Sequence, residues 1–189
     1  MSDWSPPRRD PFVELTDDAA HAAAVRARTE ERALRDRAAE LASWVGTLRD
    51  LAERGTPVTI LSRSGRTHRG VLVGVAEDHV AARLPGGQLV AIAAHALSSV
   101  RPEPGASPTV AMGDRERAQD RTLLEVVDRV AAARRRVALS IEGSDDVLQG
   151  MLASVGEDIV TLQLDSHDRA MVYVRAAALL EVVIEPTRD

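Results

Sequence analysis

Residues 58–100 read VTILSRSGRTHRGVLVGVAEDHVAARLPGGQLVAIAAHALSSV. Apolar and polar residues alternate here with a period of two, the spacing of strands that bury one face. Val58 and Ile60 open the pattern, and Ser64-Gly65 suits a tight turn. Val71, Val73 and Val75 are expected to line one face of a second strand. Glu77-Asp78 turns the chain into His79–Leu84, and Pro85-Gly86-Gly87 turns it into Leu89–Ala93. Leu97–Val100 makes a last short strand. Five short strands joined by tight turns predict a small β-barrel.

Upstream the period becomes helical. Residues 1–15 are proline-rich and charged and read as a flexible tail. Thr16, Asp17 and Asp18 suit a helix start. The chain is then free of proline and glycine up to Gly46. Leu34, Ala38, Leu41, Val45 and Leu48 form an a/d seam on one helical face, and Gly55 suits its end. The polar face mixes Arg and Glu, so the helix is expected to pack on its own barrel or pair with a partner helix. Downstream, RPEPGASPT (101–109) reads as a linker, and the two domains are expected to part over 103–112. A second helix is expected over about 114–133, with Leu123, Leu124, Val127 and Val130 on one face. Strand-type patterning returns from Val137 to Ile184.

The two halves repeat. Gly70, Val75, Glu77, Asp78, Val80 and Leu84 match Gly150, Val155, Glu157, Asp158, Val160 and Leu164 at an offset of 80. Val58 matches Val137 at 79, as do Leu48 with Val127 and Leu51 with Val130. Val90, Ala94, Ala96, Leu97 and Val100 match Val172, Ala176, Ala178, Leu179 and Val182 at 82. The offset changes inside expected turns, where insertions are tolerated. The expectation is a mainly β chain with helices: two tandem five-stranded barrels, each led by a helix, over 16–102 and 113–186.

Residues 58–100 resemble the Sm-like superfamily, and its bacterial Hfq branch most closely. The resemblance lies in the VTI strand, Gly70 in the second strand, Asp78 in the acidic turn, Gln88-Leu89-Val90, and Ala94-His95-Ala96 at the lysine-His-Ala position. It implies small SH3-type barrels, a non-catalytic RNA-binding protein, oligomers and a base contact at His95. Ala94 stands where that branch has lysine and Ala93 where it has an aromatic, so His95 alone remains of its uridine pocket.

Composition narrows the chemistry. The chain has 189 residues and a net charge of −5, against a generally basic nucleic-acid binder. It has no cysteine, which removes disulfides and thiolate metal sites and suits a reducing compartment. All 24 cationic residues are arginine, which removes lysine-dependent chemistry. The order of residues offers no nucleophile elbow, HExxH, phosphate-binding glycine loop or triad. The histidines lack metal-ligand spacing. No enzymatic activity, cofactor or metal is expected. The N-terminus carries no targeting signal, and the longest apolar runs fall far short of the ~20 residues that span a bilayer. A cytoplasmic protein without membrane contact is expected.

Charge is the clearest functional clue. Residues 55–102 carry Arg63, Arg66, Arg69, Arg83 and Arg101 against Glu77 and Asp78, a balance of +3. Residues 134–186 carry five arginines against nine acids, a balance of −4. Opposite halves suit an anion such as single-stranded RNA on the first, or attraction between halves within or between chains. Arg63, Arg66, His68 and Arg69 surround the first turn, where guanidinium groups can hold phosphates or simply solubilise the turn. Arg134, Arg135 and Arg136 follow the second helix and suit either phosphate or the helix's negative end. Two functions follow. The first is nucleic-acid binding, RNA before DNA, through Arg63, Arg66, Arg69, His95, Arg134, Arg135 and Arg136, as in a post-transcriptional regulator. The alternative is a protein assembly or adaptor module without RNA pockets. Its partner, or a second copy, would dock through Leu34, Leu41, Val45 and Leu48.

Overall fold

The computed structural model describes residues 24–33, 43–104, 121–166 and 168–186. They fall into two compact units, one within Met1–Ala42 and the other within Ser43–Asp189. In the first, residues 24–33 are helical (α1). The tail at 1–15, the helix start at Thr16, Leu34, Leu41 and most of the 103–112 linker lie outside the described residues.

The second unit opens with α2 (Trp44–Glu53) and continues with β1 (Pro57–Ser62), β2 (Thr67–Val75), β3 (His79–Arg83), β4 (Leu89–Ala93) and β5 (Leu97–Pro102). Then come α3 (Leu123–Ala132), β6 (Arg136–Ile141), β7 (Val147–Val155), β8 (Ile159–Leu164), β9 (Met171–Arg175) and β10 (Leu179–Ile184). Short 3-10 turns at Ala94–Ala96 and Ala176–Ala178 precede β5 and β10.

The helix expected to run unbroken to Gly55 does not. Ser43 is extended, and its hydroxyl accepts from the Gly46 N–H, so α2 starts afresh there. A serine cap marks the start of α2 with no proline or glycine just before it. Leu48 is buried in the core and α2 packs on β2, while Val45 stays exposed. The expected seam therefore divides at α2: Leu48 faces inward and is closed to any partner. α3 starts at a Thr122–Glu125 capping box. Both helices end alike. Gly55 N–H and Thr56 N–H bond the carbonyls of Ala52 and Leu51, and Arg134 N–H and Arg135 N–H bond those of Ala131 and Val130. The left-handed residue is Gly55 (φ 60°) in one half and Arg134 (φ 48°) in the other.

The strands correct the expected architecture. They form one open ten-stranded antiparallel sheet in the order β5-β1-β2-β3-β4-β10-β6-β7-β8-β9, and not two separate barrels. Each half does keep one internal order, closing strand, first, second, third, fourth. The physical reason for the merger is the outer edge of β4. It is taken by β10, with Leu89, Val90, Ala91 and Ile92 opposite Ile184, Val183, Val182 and Glu181. β10 reads LLEVVI and is buried at every position, as a central strand must be. β5 and β9 are left as the two edges.

The second strand also differs from expectation. Val73 is exposed, while Leu72 and Val75 face the core. The register shifts between Leu72 and Gly74, and such a bulge moves the inward positions from spacing two to three. The same shift recurs between Leu152 and Ser154. Gly70 and Gly150 match as well. A Cβ at Gly70 would run into the Arg83 carbonyl, and one at Gly150 into the Gln163 carbonyl. Neighbouring strands come too close at these points for any side chain. Among the described residues, no helix is long and apolar enough to cross a membrane.

Candidate functional site

The β4–β10 seam gathers the charged groups. Glu181 is the one acid in an otherwise apolar strand, and it is fully buried. Its Oε1 lies 2.8 Å from Arg66 Nε and accepts from the Ser140 hydroxyl at 3.0 Å. Its Oε2 lies 3.0 Å from His68 Nε2. Arg66 and His68 come from the first half, and Ser140 and Glu181 from the second. Burial pushes the Glu181 carboxyl up. The hydrogen bond and charge of His68, with the Ser62 and Ser140 hydroxyls, outweigh it and hold the carboxyl below its ordinary range. Both the serine and the histidine contact the carboxylate rather than each other. The cluster is thus a clamp between halves and lacks the relay order of a nucleophilic triad.

Two further contacts cross the seam. Asp78, in the β2–β3 turn, holds His79 Nδ1 at 2.8 Å with one oxygen. With the other it accepts the Leu123 N–H at 2.8 Å, at the first turn of α3. A carboxylate there satisfies a free helical N–H and meets the positive end of the dipole. In the second contact, Arg63 Nη2 lies 3.8 Å from Glu142 Oε1. Arg63, Ser64, Ile141, Glu142, Asp145 and Leu180 help line an open cleft of about 260 Å³ between them.

The expected binding arginines are largely spent within the protein. Arg66 holds Glu181, and Arg63 faces Glu142 and the His95 carbonyl, the latter at 3.5 Å. His95 itself is exposed on the 3-10 turn beside Arg63. Arg69 is exposed on β2, opposite Thr59. Arg134 occupies the left-handed helix end. The Arg135 guanidinium bonds the Glu185 carbonyl, and that of Arg136 bonds Asp165 and lies 3.9 Å from Glu185. Arg63, Arg66 and His95 thus gather at the seam, while Arg135 and Arg136 bond groups of their own half. The acidic 165–168 turn is organised locally: the Ser166 hydroxyl and the Ala170 N–H hold the Asp168 carboxyl below its ordinary range. Among the described residues, no three His, Asp or Glu side chains converge as metal ligands would.

Sequence reasoning placed Arg66 and His68 around a turn, to hold phosphate or to solubilise it, and counted Glu181 among nine acids. One signal was available. A single carboxylate inside a continuous apolar strand needs buried partners. Asp78 carried no such signal, since its partner α3 lies 45 residues downstream.

Seam and edges differ sharply. By the repeat offset, β9 is the counterpart of β4 and β5 that of β10. Tyr173 is 69% exposed where its counterpart Ala91 is 2% exposed. Trp44, counterpart of Leu123, is 48% exposed against 8%. Met171, Ile159 and Leu61 are likewise exposed, whereas His79 and Ser140, the counterparts of the last two, are buried. The chain matches no protein-family model, no curated protein and no solved structure, so the resemblance of residues 58–100 rests on the residues quoted above alone.

Proposed function

We propose that this chain is a non-catalytic, cytoplasmic protein-assembly module. It joins other protein through its open sheet edges, β5 and β9. One observation carries the reading. Inside the chain, the β4–β10 seam buries a strand edge, a helix start and an ion pair together, and the counterparts of that edge and that helix start lie open. An unpaired edge is a template for another strand. The exposed Met171, Tyr173, Trp44 and Ile159 are the apolar residues such a partner would cover. The nucleic-acid reading is less well supported, because Arg63, Arg66, Arg135 and Arg136 all have acidic or carbonyl partners.

The test is site-specific photo-crosslinking in the native host. A photoreactive residue replaces Ser99 on β5 or Tyr173 on β9, with Val73, exposed on β2, as control. Protein adducts at 99 and 173, and few at 73, are expected. Nucleic-acid adducts at the edges, or equal labelling at all three positions, would overturn the reading.

A further inference from the structure

We propose that the partner of each edge is a second copy of this chain: β9 of one copy pairs antiparallel with β5 of the next, in the register of the β4–β10 seam. The proposal rests on the assembly reading and names its partner.

The register transfers residue by residue. In the seam, Ile92, Ala91, Val90 and Leu89 face Glu181, Val182, Val183 and Ile184. The offset of 82 converts these pairs into Val174 with Ser99, Tyr173 with Val100, Val172 with Arg101, and Met171 with Pro102. Pro102 ends the ladder and lacks an N–H, so the joint forfeits at most a terminal hydrogen bond.

The flanking contacts transfer too. Asp78 caps α3 at Leu123 N–H. Their counterparts are Asp158 and Trp44, at the first turn of α2, and both are exposed. Asp158 does repeat one other contact of Asp78: the backbone carbonyl of each accepts a 3-10-turn N–H, from Ala176 at Asp158 and from Ala94 at Asp78, both at 2.7 Å. A neighbouring copy would supply the missing helix start and cover Trp44 and Ile159 together.

Charge supports the same partner. Arg63 and Glu142 are counterparts of each other. Their N–H groups donate to the equivalent carbonyls of Ala96 and Ala178 at 2.7 and 2.8 Å. Between copies the pair would recur with its polarity reversed, Glu142 of one copy facing Arg63 of the next, and still attract. The buried clamp would not recur, and it need not. Ser99 stands for Glu181, Leu148 for His68 and Asp146 for Arg66, so no buried carboxylate is left without a cation. The new seam is more polar than the internal one, as suits a reversible contact and not a permanent one. The two edges differ, so the contact is head-to-tail and each copy can use both, giving a ring or a filament.

Light scattering on the purified full chain, across a dilution series, tests the partner. A mass several times 20.3 kDa that falls on dilution is expected. The double substitution Met171→Glu with Tyr173→Glu, at two exposed positions, should weaken association about a hundredfold, while Val73→Glu leaves it unchanged. A wild-type monomer at every concentration would overturn the proposal. Cysteine pairs test the register, since the chain has no cysteine of its own. Val172→Cys with Arg101→Cys should give disulfide-linked multimers, and Val172→Cys with Ser98→Cys should give few. Equal linking by both pairs would overturn it. The assembly reading fails separately: a monomeric chain whose edges crosslink a different protein sinks only the self-pairing, and edges that capture no protein sink both.

Discussion

β10 and β5 hold the same place in the two halves and live in opposite surroundings. β10 reads LLEVVI and is buried throughout. β5 reads LSSVRP and exposes Ser98, Ser99, Arg101 and Pro102. One strand is written for the middle of a sheet and the other for its rim, where polar residues and proline restrain uncontrolled pairing. The backbones scarcely register the change. Bulges, tight glycines, 3-10 turns and helix ends recur at matched positions. The repeat therefore teaches a division of labour: the shared residues fix the chain path, and the divergent ones decide what each edge meets.

That division can be broken experimentally. The largest effect is expected where the halves agree. Gly70→Ala and Gly150→Ala each force a Cβ into a neighbouring carbonyl and should cost about 3 kcal/mol or more. Urea unfolding of the two variants checks this, and a silent Gly150→Ala would deny that the strand crossings are equivalent. Next comes the seam. Glu181→Ala leaves Arg66 and His68 facing an emptied site and should cost about 3 kcal/mol. Its counterpart Ser99→Ala, on the rim, should cost under about 0.5 kcal/mol by the same denaturant titration.

A smaller effect is expected from acid. The Glu181 carboxyl is held below its ordinary range, so its stabilisation is fully present above about pH 4.5 and is lost as pH falls through the lower folded value. Thermal melts from pH 7 to pH 3 should fall more steeply for wild type than for Glu181→Gln. Equal slopes would place the acid sensitivity elsewhere. The smallest effect lies at the helix ends. Arg134 holds a left-handed conformation that Gly55 holds in the first half. Arg134→Gly should stabilise by about 1 kcal/mol and Gly55→Ala should destabilise by a similar amount, read as shifts in melting temperature.

Much of the chain path was legible in the sequence. β3, β4 and their turns fall where alternation and Pro85-Gly86-Gly87 place them, because short-range sterics fix them. Three things escaped, for different reasons. The inward face of β2 is set by a bulge, which alternation cannot count. The break at Ser43 is a single hydroxyl within an alanine-rich run. The merger of the halves depends on β4 choosing β10, and no local period records a choice made between strands 89 residues apart (Ile92 and Glu181). At the site, arginines near a turn look like surface charge until their buried acid is found. Arg66 and Arg136 read alike in sequence, yet one clamps the two halves and the other serves only its own.

The distance spanned by the seam has a consequence in time. β10 is the last strand of the sheet in chain order, so β1–β4 exist before the strand that covers β4 does. Closing so long a loop costs little extra stability but slows folding. During that interval β4 presents Val90, Ala91 and Ile92 along an open edge. A β10 from a neighbouring chain fits it as well as the chain's own. Concentrated refolding should therefore yield exchanged dimers that dilute refolding avoids.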